Sequence, residues 1–167
     1  MDKAVKEALA PEGVLRAGIN LSNFLLVSSK LLDGTPEGIS PDLAKRIAKE
    51  IDAPCEFVPF DRPGDLADAV DMDLWDIGNI AFETERAQTI EFSVPYVLID
   101  ANFLVSKDAD FITNSEIDKS SVRIAVYERS AYDLWLNSHF KYAEIIRAKS
   151  IRGSHEIFLR GEANVLA

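Results

Sequence analysis

The 167-residue chain is nearly without cysteine and histidine: it has one of the first, Cys55, and two of the second, His139 and His155. A single cysteine cannot close an internal disulfide. Cys55 follows Pro54 at the head of an apolar stretch with no histidine near it in sequence, so it reads as a structural thiol rather than a nucleophile. The two histidines lack Cys, His or carboxylate neighbours at ligand spacing, so no metal site is expected, and no cofactor either. Long apolar runs are missing too: nothing approaches the roughly 18–20 residues that a membrane-spanning helix needs. Basic residues are outnumbered, 18 Lys and Arg against 28 Asp and Glu, for a net charge of −10 and a pI near 4.7. That balance repels phosphate backbones and anionic bilayers, so neither nucleic acid nor a membrane surface is an expected partner. It leaves small anions open as ligands, because one nearby arginine outweighs a distant, screened acidic surface. Residues 1–13 are charged and lack the apolar core of an export signal. The expectation is a cytoplasmic protein if the chain is native as given, or an exported one whose signal has been removed and whose Met1 was added.

What is present is globular: 47% apolar and 28% charged residues, in a length that suits one ordinary domain or two small lobes. Residues 14–20 read as a strand, and Phe24 just past it is a ring that either lines a cleft or packs in the core. Ser40, Pro41 and Asp42 read as an N-cap, a first-position proline and a dipole-matched acid, opening a helix with an apolar stripe of Leu43, Ala44, Ile47, Ala48 and Ile51. A second strand follows at 55–60, with Pro59 marking an edge, then a short helix carrying Leu66, Ala69 and Val70, then a third strand at 75–80. Strand, helix, strand, helix, strand is the order of a parallel sheet with right-handed crossovers. Ligands of such sheets sit at the carboxyl ends of the strands; Asn20, Arg62, Asn79 and Arg86 all fall at or just past predicted strand ends.

The most informative stretch is WDIGNIAFETERAQTIEFSVPY, residues 75–96. It pairs a strand end with a short helical turn bearing Arg86. A guanidinium is a rigid fork of donors that matches a carboxylate bidentately. Arg86 could therefore grip a small anion, or simply pair with Glu83 or Asp76 on a solvated surface. W-D-I-G followed by T-x-x-R-x-x-x-I-x-F-S-x-P-Y resembles the signature of bacterial extracellular solute-binding proteins of family 3, the amino-acid receptors of ABC importers; the G-x-S-x-D-L motif at 38–43 matches as well. The resemblance implies an α/β fold of the two-lobed periplasmic-binding-protein type 2 kind, with parallel-sheet lobes at 1–101 and 102–167, the second lobe and the return crossover being incomplete.

The resemblance also implies a ligand site. Arg86 would clamp the ligand carboxylate, with Asn20, Asn23, Phe24, Asn79, Ile80 and Ala81 lining the cleft. Arg62 either adds a second positive charge or points to water. In the second lobe a strand at 122–126 leads to a helix capped by Ser130, with Asp133 three residues on completing a box-like start; Ser130 and Ala131 would meet the ligand there, or Ser130 is an ordinary cap. Two positions depart from the family pattern: Ala81 stands where a Ser or Thr hydroxyl is common, and Arg129 where a Gly is usual. Further strands and helices are expected at 145–151 and from Ser154. The implied function is non-enzymatic: a periplasmic receptor that binds a small polar carboxylate such as an amino acid by hinge closure and hands it to the membrane permease of an ABC importer. The alternatives are a cyclohexadienyl (prephenate or arogenate) dehydratase-like enzyme on the same fold, or a non-binding fragment. An unpaired edge on the first lobe would invite a homodimer.

Overall fold

The computed structural model describes residues 3–107, 109 and 113–167. The expected helix start at Asp2 and the parts of the expected loop at 108 and 110–112 lie outside them. The described chain forms two compact units, residues 1–81 and 82–167.

The first unit is built on a parallel sheet of three strands in the order β4-β1-β5: β1 (Leu15–Asn20), β4 (Cys55–Phe60) and β5 (Ile77–Asn79). β1 is central: Leu15, Ala17 and Ile19, alternate residues on one face, are fully buried, and Gly18 on the other face lies against Trp75. β4 is an edge strand and carries Pro59, whose missing N–H is tolerated there. A leading helix, α1 (Lys3–Leu9), and the hairpin of β2 (Ser29–Lys30) and β3 (Pro36–Glu37) precede α2 (Ile39–Glu50). Ala44, Ala48 and Ile51 of the predicted stripe are buried under the sheet, and Cys55 packs among them, half-buried. That burial pushes its thiol pKa up against the charge of Lys45, which suits a structural role.

The start of α2 differs from the expectation. Gly38, not Ser40, is the N-cap, and Ser40 and Pro41 lie buried within the first turn. Gly38 has φ 137°, and a Cβ there would come within 2.5 Å of the Leu26 carbonyl oxygen. Only glycine fits that approach, so the backbone rather than a hydroxyl sets the helix entry. Asp42 sits in the first turn as expected, but Arg46 pairs with Glu50 one turn on, at 2.5 Å.

Helix α3 (Pro63–Asp68) and a following 3₁₀ turn at Ala69–Met72 bring the chain to Trp75. Its indole N–H donates to the Leu66 carbonyl at 2.9 Å, and the ring lies against Gly18 and Gly78, where an added Cβ would sit 3.1–3.4 Å from it. The glycine of W-D-I-G thus makes room for its own tryptophan. Asp76 is engaged by Arg16: Oδ2 accepts the Arg16 backbone N–H at 2.7 Å and Oδ1 accepts a guanidinium N–H at 2.6 Å. Asp73 adds a second contact at 2.9 Å, and these carboxylates hold the Arg16 pKa above its ordinary value.

The second unit carries a four-stranded sheet in the order β6-β9-β7-β8. β6 (Leu104–Val105) is antiparallel to β9 (Val165–Leu166), which runs parallel to β7 (Arg123–Tyr127), itself parallel to β8 (Glu144–Ala148). Helices α4 (Ala131–His139) and α5 (Ile151–Leu159) make the crossovers. One face packs Val122, Ile124, Val126, Leu136 and Val165; the other packs Ala125, Ala163 and Leu166 against Ile157 and Phe158 of α5. Helix α5 starts three residues before the predicted cap: Ser150 accepts the Gly153 N–H at 3.0 Å, and Ser154 is buried inside the helix. Asp118 ties the loop before β8 to the turn before β7, accepting the amides of Lys141, Tyr142 and Ala143 at 2.8–3.1 Å.

Two outcomes follow from these contacts. Gly38→Ala loses about 3 kcal/mol of unfolding free energy in urea, from the disallowed φ and the carbonyl clash together. Partial burial alone would raise the Asp118 pKa, but the Ala143, Tyr142 and Lys141 amides and the Lys141 charge hold it below the usual carboxylate range. Its contribution is therefore fully present above the unfolded value of about 3.9 and lost as pH falls through the depressed folded value. Urea titrations from neutral pH downward show an acid-side loss of stability that Asp118→Asn reduces.

Candidate functional site

In the first unit, the residues singled out by sequence gather at the carboxyl end of the sheet. Asn20 closes β1, opposite Phe60 of β4, and Asn79 closes β5 opposite Ile19. Asn20 Oδ1 accepts from the backbone N–H and hydroxyl of Ser22 at 3.2 and 2.7 Å, and Asn23 Oδ1 accepts from Leu25 N–H at 3.2 Å. Both side chains shape the turn after β1. Phe24 is 67% exposed, so it is no core ring. Arg62 opens α3 and forks onto Asp65 at 2.7 and 2.8 Å on an exposed surface. Asn79 is buried, Ile80 half-buried and Ala81 exposed.

The second unit holds Arg86, Ser130 and Ala131. Arg86 begins a 3₁₀ turn, Arg86–Gln88, locked by Ile90 and Thr89 amides that donate to the Arg86 carbonyl at 2.9 and 3.1 Å. Phe82 and Phe92 meet edge to face beside it, with centroids 5.2 Å apart, and wall an open depression lined also by Ala87, Ile90 and Glu91. The Arg86 side chain is not on a solvated surface: the residue is only 5% exposed. Asp76, the other carboxylate near it in sequence, pairs with Arg16. Burial pulls the Arg86 pKa down, with Glu83 attracting the guanidinium and Arg129 repelling it. In turn, burial raises the Glu83 pKa against the attraction of Arg86 and His139.

One guanidinium N–H of Arg86, on Nη2, donates to the backbone carbonyl of Arg129 at 3.1 Å. Arg129 is the residue just before the N-cap of α4, and its φ is +56°. Ser130 caps the helix as predicted, its Oγ accepting the Asp133 N–H at 3.2 Å. Asp133 does more than the capping box foresaw. It is 4% exposed, and it reaches past the cap, so that Oδ2 accepts the Arg129 backbone N–H at 2.8 Å. Its Oδ1 accepts the Arg147 Nε–H from β8 at 2.9 Å, and Arg147 also reaches Asn137 at 3.3 Å. Arg147 drew no notice in the sequence, because nothing in a β-strand pattern marks which charged residue will face a helix start. The chemical sum is a buried cation whose neighbour is the positive end of a helix, an arrangement suited to a small anion.

The chain matches the family model of bacterial extracellular solute-binding proteins, family 3, over residues 23–164. It belongs to that family. Among solved structures, the ancestral amino acid-binding protein AncCDT-1, a precursor of cyclohexadienyl dehydratase, is similar at a TM-score of 0.75 and 25% identity, over 97% of this chain and 72% of that one. Holo ArgBP from T. maritima gives 0.71 at 22%, over 96% and 70%, and the cysteine-binding protein from Campylobacter jejuni 0.74 at 18%, over 99% and 66%. These last two likenesses speak to the fold, which is that of the type 2 periplasmic-binding proteins. Comparison with curated proteins finds no match. No helix of the described residues is long and apolar enough to cross a membrane.

Arg129 holds a left-handed backbone, φ +56°, which costs an L side chain roughly 1 kcal/mol. Arg129→Gly raises unfolding free energy by about 1 kcal/mol or leaves it level, after glycine's greater chain entropy is counted. Urea midpoints of the two proteins measured side by side decide it; a clear loss of stability contradicts the assignment of strain to that residue.

Proposed function

We propose that this chain is the solute-binding component of an ABC importer, taking a small polar carboxylate such as an amino acid. Arg86 is the carboxylate clamp, with the N-terminal amides of α4 at Ser130 and Ala131 as the second grip. The observation that carries this is the buried Arg86 guanidinium bonded to the residue that precedes the α4 cap. A cation removed from water and set beside a helix N-terminus favours an anion at the same spot. Membership of family 3 and the amino-acid ligands named for the similar structures support the class of ligand. In this reading Asn20, Asn23, Phe24, Arg62, Asn79, Ile80 and Ala81 line the wall that carries Arg86, and Ser130 and Ala131 lie on the other. The bodies that close are residues 1–101 and 102–167, and closure exchanges water for ligand contacts. A periplasmic location, a membrane permease as partner and self-pairing through the first-lobe edge belong to the same proposal.

A second reading, a dehydratase-like enzyme, draws on the likeness to a precursor of cyclohexadienyl dehydratase. One set of measurements separates the two. Calorimetric titration of the protein against a panel of the common L-amino acids detects binding, and Arg86→Lys, which keeps the charge but loses the fork, weakens it by about a hundredfold or more. Incubation with prephenate and arogenate reads turnover. Binding that ignores Arg86→Lys overturns the clamp; turnover favours the enzyme; silence throughout overturns both.

A further inference from the structure

A left-handed arginine needs something to hold it there, because a strained backbone persists only where its surroundings over-determine it. Two hydrogen bonds flank the left-handed α-carbon of Arg129. Its N–H is taken by Asp133 Oδ2 at 2.8 Å, and its carbonyl takes an N–H of the Arg86 guanidinium at 3.1 Å. The N–H and the carbonyl belong to the two peptide units that flank one α-carbon, so the dihedral angles of Arg129 set the direction of the carbonyl once Asp133 fixes the amide. Asp133 is itself pinned from the far side by Arg147 of β8 at 2.9 Å and from its own backbone by the Ser130 cap at 3.2 Å. A relay of three residues, Asp133, Arg129 and Arg86, thus runs from the start of α4 to the guanidinium.

We propose that Asp133 is a positioning residue for Arg86: by holding Arg129 in the left-handed conformation, it aims the Arg129 carbonyl that orients the buried guanidinium. The placement stands on geometry alone; its consequence for ligand affinity rests on the carboxylate-clamp reading above. An ordinary helix cap would not require this. In a capping box the Asp133 carboxylate would take the Ser130 N–H; here that N–H donates to the Tyr127 carbonyl at 3.2 Å, and the carboxylate takes the amide one residue earlier, at Arg129. Because the relay acts through a backbone angle, a glycine at 129 can replace it, since glycine enters the left-handed region without strain.

The test follows the guanidinium directly, by NMR of the whole chain with ¹⁵N-labelled arginine side chains. In the unaltered protein, the bond to the Arg129 carbonyl slows rotation of the Arg86 guanidinium, so its two Nη groups give separate signals. In Asp133→Ala, the exchange between them speeds up about tenfold, the factor that one hydrogen bond of ordinary net strength carries. In Asp133→Ala with Arg129→Gly, the slow exchange returns. Arg147→Met is the control: it removes the ion pair and lowers the urea midpoint, yet leaves the Arg86 signals unchanged because Asp133 still holds the Arg129 amide. If Asp133→Ala proves unfolded, Asp133→Glu replaces it, keeping the charge for Arg147 while displacing the carboxylate from the Arg129 amide. Slow exchange that survives loss of Asp133, fast exchange that glycine does not cure, or an equal effect from Arg147→Met overturns the proposal. None of these readouts needs a ligand, so failure of the calorimetry above and failure here are distinguishable.

Discussion

The second unit is arranged around a cation that has been taken out of water. A guanidinium at 5% exposure has lost most of its hydration, and its charge must be met by oriented dipoles or opposite charge nearby. Glu83 supplies attraction and the Arg129 carbonyl supplies an acceptor. That carbonyl follows a left-handed turn at Arg129, the Arg129 amide donates to the buried Asp133, and Asp133 in turn pairs with Arg147 from β8. Each compensation creates the next polar group in need of a partner, and the series ends where Arg147 reaches the partly open surface.

The first unit solves a different problem by shape. A parallel sheet of three short strands must cover a tryptophan, and it does so by leaving side chains out. Gly18 and Gly78 lie flat under the Trp75 ring, and the ring's one polar atom finds the Leu66 carbonyl. The neighbouring Asp76 is fixed to Arg16 of β1 through both its backbone and its side chain. The strand ends carrying Asn20 and Asn79 are thereby held in register by contacts that are themselves far from any ligand chemistry.

Much of this was legible along the chain. The order of strands and helices followed from apolar spacing, and the family signature between residues 75 and 96 pointed to the right fold. Other elements were misplaced for identifiable reasons. Helix α2 opened at Gly38 rather than Ser40, where a carbonyl of a distant loop crowds the site; helix α5 opened at Ser150 rather than Ser154, whose side chain is buried within the helix and bonds the Ile151 carbonyl at 2.8 Å. Asp76, a carboxylate near Arg86 in sequence, pairs with Arg16 on an adjacent strand, a contact that spacing along the chain does not mark.

The sequence by itself determined what local chemistry can encode: the alternation of α and β, the apolar stripes, the Ser130 cap and the presence of one well-placed arginine. Only the tertiary structure decided where that arginine goes and who holds it. One acceptor it meets is a backbone carbonyl, which every residue possesses and no residue type advertises, and the carboxylate that takes the Arg129 amide and the arginine that pairs with it lie 14 residues apart, on a helix and on the strand after it. Spacing rules describe neighbours within one element; a contact between elements is fixed by how the sheet stacks them, and that is a property of the whole unit rather than of any stretch of it.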